Sequence, residues 1–104
     1  MFIAMNRFKV AHGSEADFEE VWKSRDSHLT EVPGFMEFHL LKGPSRDDHV
    51  LYSSHTVFRS KADFEAWTKS DAFRKAHAQA GQRKPLYIGH PEFEGFETVQ
   101  HLTA

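Results

Sequence analysis

The chain has 104 residues, 39% of them apolar and 27% charged, with a formal net charge of −2. That length and mixture describe one globular domain, residues 1–104, and the absence of a basic stripe argues against nucleic acid as a partner. With no cysteine there is no disulfide, no catalytic thiol and no thiolate-held metal, and no apolar run reaches the roughly 20 residues of a membrane span. The N-terminal apolar run is too short for a signal peptide, so the expectation is a soluble cytoplasmic domain with no membrane partner.

Residues 2–10 alternate and predict a strand. Phe2, Ala4, Asn6, Phe8 and Val10 share one face, and Ile3, Met5, Arg7 and Lys9 the other. Asn6 is the odd member, an amide among apolar side chains. It is either a core amide bonded to nearby backbone or a group pointing into a ligand pocket. After the turn at His12-Gly13, Ser14-Glu15-Ala16-Asp17 resembles a capping box. It predicts a helix over 14–30 with a stripe of Phe18, Val21, Trp22, Arg25 and Leu29. Trp22 reads as core, and Arg25 and His28 as a solvated face or a pocket edge. Val32-Pro33-Gly34 ends the helix.

Residues 35–42 and 49–58 predict two strands of an antiparallel hairpin around a polar loop, 43–48. His49 and His55 lie on one face of the second of these strands, too far apart to chelate one metal. His39 has no chelating spacing with its sequence neighbours, so all three read as structural or surface residues. Ser60-Lys61-Ala62-Asp63 starts a short helix carrying Phe64 and Trp67. A break at Lys69-Ser70 leads to a second helix over 71–79, with Ser70 as its cap and Gly81 at its end. On this helix Phe73 and His77 are four residues apart, and His77 is flanked by Ala76, Ala78 and Ala80. A histidine with such small neighbours can be approached by something flat and large, as an axial ligand of haem iron must be; a surface histidine on an alanine-rich helix is the plainer reading. Residues 82–91 read as a loop in which Arg83 and Lys84 could meet a ligand's carboxylates. A last strand spans 93–102, with Phe96, Thr98, Gln100 and Leu102 on one face. The order β–α–β–β–α–β is that of an α+β, ferredoxin-like split βαβ fold: a four-stranded antiparallel sheet with helices on one face.

Three groups of residues sharpen this. They are Asn6-Arg7 in the first strand, the Pro33-Gly34-Phe35 turn, and Trp67-x-x-Ser70-x-x-Phe73-x-x-Ala76-His77. With them the chain resembles the IsdG-type haem-degrading monooxygenases, a branch of the antibiotic-biosynthesis monooxygenase superfamily. The resemblance implies a homodimer whose sheets form a central barrel, with haem held between each subunit's sheet and helices. It implies His77 as proximal ligand of the haem iron, Asn6 as the distal amide and Trp67 as the residue pressing on the porphyrin. Phe64, Phe73 and Phe96 are placed as lining and Arg83 as a propionate partner by position alone. The implied activity uses haem as both cofactor and substrate, with O2 and an external reductase or other electron donor. It opens the ring and releases iron and a biliverdin- or bilirubin-type linear tetrapyrrole. Two other readings share the fold: a cofactor-independent oxygenase acting on an aromatic or quinol substrate, and a non-catalytic haem-binding protein.

Overall fold

In the computed structural model, residues 1–24, 28–71, 73–74 and 86–104 are described. Strand β1 (Phe2–Val10) leads to helix α1 (Glu15–Ser24) and a single 3-10 turn (Leu29–Glu31). Strands β2 (Phe35–Ser45) and β3 (Val50–Phe58), helix α2 (Lys61–Thr68) and strand β4 (Tyr87–Glu97) follow. The sheet is antiparallel in the order β2-β3-β1-β4, as the ferredoxin-like reading requires.

Alternation in β1 decides which face meets the helices. Phe2, Ala4, Phe8 and Val10 are buried and Asn6 is half-buried, while Lys9 is exposed. Phe8 and Val10 pack with Phe18 of α1 and with Val50 and Tyr52 of β3, and Trp22, Leu40, Leu86 and Tyr87 close around them. Trp22 belongs to this core, stacked on Phe38 with ring centroids 5.8 Å apart. The Tyr52 hydroxyl donates to Glu19 Oε2 at 2.5 Å. Burial, reinforced by this bond, pushes the Tyr52 pKa up to about 12, and the same bond holds the Glu19 carboxyl below its usual range.

Helix α2 starts as its sequence predicts: the Ser60 side chain accepts from Asp63 N–H at 3.1 Å. At the start of α1 the roles differ from the expected box. Glu15 Oε1, not Asp17, reaches back to an N–H group, that of Gly13, at 2.5 Å.

The helix expected over 14–30 is shorter than its apolar stripe. α1 ends at Ser24, whose hydroxyl donates back to the Glu20 carbonyl at 2.8 Å, an alternative partner that weakens helix propagation. His28 then adopts a left-handed φ of 56°, which no right-handed helix can contain, before the 3-10 turn. Strand β2 runs through Gly43-Pro44 instead of ending at Lys42, and β4 spans 87–97 instead of 93–102. Both are edge strands, where Pro44 and Pro91 leave no ladder bond unmade in the sheet interior. In β4, Gly89, with φ of 70°, begins a bulge with His90 and Pro91 opposite Phe8, and pairing resumes at Glu92. Beyond Glu97 the chain leaves the sheet, so Thr98, Gln100 and Leu102 share no strand face.

Candidate functional site

The cleft is walled on one side by the sheet's helix-facing surface. Asn6 sits in a cross-strand row with Ser54 of β3 and Phe93 of β4, and the next row holds Thr56, Ala4 and Gly95. Apart from Phe93, on which Phe64 stacks, the neighbours of Asn6 in these rows are small. The Asn6 amide makes no side-chain hydrogen bond to another described residue, and it is half-buried. A half-buried amide in this state has hydrogen-bonding capacity to offer a ligand.

The opposite wall is aromatic and comes from α2 and the helical turn that follows. Phe64 lies 5.0 Å from Phe2 and is stacked on Phe93 at 5.7 Å with an interplanar angle of 8°. Trp67 lies 5.5 Å from Phe58 and 6.2 Å from Phe64, and Phe73 meets it edge-on at 4.9 Å. The spacing of Phe64 and Trp67 on one short helix sets both rings against the sheet. Gly95 is what lets Phe2 lie flat under this cluster, since a Cβ there would stand 2.5 Å from Phe2 Cζ.

Trp67 also borders a cavity of about 380 Å³ lined by His28, Glu31, Val32, Pro33, Asp63, Ala66 and Ser70. Gly34, with φ of 84°, turns the chain beside it; a Cβ at that position would fall 2.4 Å from Asp63 Cγ. Ser70 caps the next helix as its sequence predicts. Its Oγ accepts from Phe73 N–H at 3.2 Å and donates to the Trp67 carbonyl at 2.6 Å, and Asp71 pairs with Arg74. One serine therefore ties the end of the tryptophan helix to the start of the next.

Of the expected site residues, the structure brings Trp67, Phe64 and Phe73 together in one aromatic wall and puts Asn6 on the sheet wall that this cluster packs against. His77, Arg83, Lys84 and Arg25 lie outside the described residues. Phe96 is a correction. It pairs with Ile3 on the outer face of the sheet and is 42% exposed, so it lines nothing on the helix side. Phe93 takes that place, because the pairing with β1 sets Phe93 opposite Asn6 and Phe96 opposite Ile3. Ser54 was also missed: buried polar residues of a central strand carry no signal until their cross-strand partner is known.

The family model for antibiotic biosynthesis monooxygenases matches residues 1–79. The chain is 31% identical over 88 residues to a haem-degrading monooxygenase of Bacillus cereus, covering 85% of this chain and 80% of that one. It is 35% identical over 68 residues to a haem-degrading monooxygenase of Shouchella clausii, and this match covers 64% of each chain. Among solved structures it resembles the haem degrader MhuD of Mycobacterium tuberculosis with two haems in its active site. The TM-score is 0.75 and the identity 27%, over 99% of this chain and all of that one. It also resembles SnoaB, a cofactor-independent oxygenase of Streptomyces nogalater, with a TM-score of 0.69 and 26% identity over 97% and 95% of the two chains. The family model's match over three quarters of the sequence, with the likeness to these relatives, shows that the chain belongs to the antibiotic biosynthesis monooxygenase family.

Proposed function

We propose that this protein is a haem-degrading monooxygenase. The observation that carries the reading is the pairing of a half-buried amide, Asn6, with a wall of Phe64, Trp67 and Phe73, in a chain similar to haem degraders. The residues suit a flat, largely apolar ligand. The aromatic rings offer it broad faces and edges, and the Asn6 amide offers it a hydrogen-bonding group. Haem, when bound, supplies the iron chemistry and is itself the compound consumed.

The chain's own residues divide the remaining work. His77, seven residues after Ser70 in the sequence, is the proposed iron ligand. Asn6 would offer bound haem an N–H donor that cannot deliver a proton as an acid would. Trp67, held by three neighbouring rings, has little freedom to retreat and so presses on the macrocycle. Phe64 and Phe73 shield the ring from water, and Arg83 is the proposed partner of a propionate. Electrons come from an external donor and oxygen from O2; the products are iron and a linear biliverdin- or bilirubin-type tetrapyrrole. Two copies pair through the outer sheet faces, where Ile3, Met5, Leu41, Leu51, Ile88 and Phe96 form an apolar surface. No helix among the described residues is long and apolar enough to cross a membrane, and a cytoplasmic location suits an enzyme dependent on a cellular reductant.

The second reading, a cofactor-independent oxygenase of an aromatic substrate, is favoured by the likeness to SnoaB. One experiment separates the two. Purified protein is titrated with haemin and then given ascorbate in air, with Asn6→Ala and His77→Ala in parallel. A Soret band that forms and bleaches in the wild type, and persists in His77→Ala, is the expected result. A persistent wild-type band means a haem carrier, and no band at all gives the cleft to another substrate.

A further inference from the structure

The outer face of the sheet holds a pair of histidines that their spacing in sequence conceals. His39 and His55 are 16 positions apart in the chain, yet the β2–β3 register sets them directly opposite each other. Their ring centroids are 5.8 Å apart. Across the other side of His55, in the same row, stands Met5 of β1. Three adjacent strands thus present imidazole, imidazole and thioether side by side. A second observation points to a missing partner. The His55 Nδ1 atom is buried and has no hydrogen-bond partner among the described residues, an unfavourable state for an imidazole nitrogen.

The distance matches metal ligation. A metal–nitrogen bond of about 2.0–2.1 Å puts each ring centroid roughly 3.2 Å from the ion, so two ligated rings lie roughly 5–6.4 Å apart. The observed separation falls inside that window without backbone movement. Imidazole suits copper, nickel and zinc, and the divalent affinity order peaks at copper. On the same face, Glu37 lies two residues from His39 along β2, and beyond Met5 the ion pair Arg7–Glu94 ties β1 to β4. Among the described residues no three His, Cys, Asp or Glu side chains form a metal cluster, so the remaining positions fall to Met5 and water.

We propose that His39 and His55 form a cross-strand clamp for a divalent transition-metal cation, copper binding most tightly, at a site distinct from the cleft between sheet and helices. The clamp lies on the face assigned above to the second copy, so in a dimer the ion sits within the interface. The proposal does not depend on haem.

The test uses haem-free full-length protein titrated with Cu(II) sulfate, followed by gel filtration, copper analysis and electron paramagnetic resonance. Expected are one copper per chain and a nitrogen-coupled signal in the wild type, His77→Ala and His49→Ala. His39→Gln and His55→Gln are each expected to bind roughly tenfold or more weakly and to lose that signal. Thermal unfolding without copper checks that both variants fold. Equal binding by His39→Gln and wild type would overturn the proposal, assigning the copper to scattered surface histidines. Loss of binding in His77→Ala would overturn it in favour of the cleft.

Discussion

Replacing Gly95 by alanine tests how the floor of the cleft is built. The added Cβ would stand 2.5 Å from Phe2 Cζ and 3.1 Å from Cε1. Phe2 is only 5% exposed and has Phe64 on its far side at 5.0 Å, so its ring has nowhere to retreat. Overpacking of this kind costs about 1–3 kcal/mol. Relieving a strand glycine of its backbone entropy returns about 0.5–1 kcal/mol. The net expectation is therefore a loss of about 1–2 kcal/mol from the single substitution. Phe2→Ala alone removes a buried ring, at about 3–5 kcal/mol. In that background nothing remains for the new methyl to strike, and Gly95→Ala should become neutral or stabilising by about 0.5–1 kcal/mol. Urea unfolding of the wild type, both singles and the double should then give a coupling energy of about 2 kcal/mol. If the two substitutions add within about 0.5 kcal/mol, the close approach of Phe2 to β4 does not shape this wall and the reasoning fails.

Ser70→Ala removes the bond to Phe73 N–H and should cost about 1 kcal/mol of stability. If the helix that the sequence predicts over 71–79 carries His77, haemin affinity in a Soret titration should fall more than stability does; unchanged affinity would show that the cap does not position the histidine. Tyr52→Phe should cost about 1 kcal/mol at neutral pH through loss of the bond to Glu19. The raised Tyr52 pKa makes that contribution complete below about pH 10 and lost as the pH rises through about 12. The lowered Glu19 pKa makes its own contribution present above the ordinary glutamate range and lost as the pH falls through its depressed value. Chemical denaturation of wild type and Tyr52→Phe from acid to pH 11 should therefore give curves whose gap narrows towards both ends, and a constant gap would refute the assignment.

Alternation over Phe2–Val10 was enough to identify β1 and to set Asn6 among core residues on the helix-facing side, because a strand's period of two needs no tertiary information. The caps at Ser60 and Ser70 were legible for a similar reason: each bonds an N–H group three residues away. The three-residue step from Phe64 to Trp67 likewise put both rings on one helical face. What local pattern could not supply was anything that depends on the path of an edge strand. Gly89, His90 and Pro91 look like a loop in sequence, yet they are a bulge inside β4, and only the pairing of β4 with β1 shows that Phe93 and not Phe96 shares the face of Asn6. Nor could it show where a helix gives way to competing hydrogen bonds, as at Ser24, or to a left-handed residue, as at His28. The largest gap concerns register. Asn6 beside Ser54, and His39 beside His55, are neighbours only because antiparallel strands pair residues far apart in the chain. The residue types were fixed by the sequence; which of them share a wall was decided when the strands aligned.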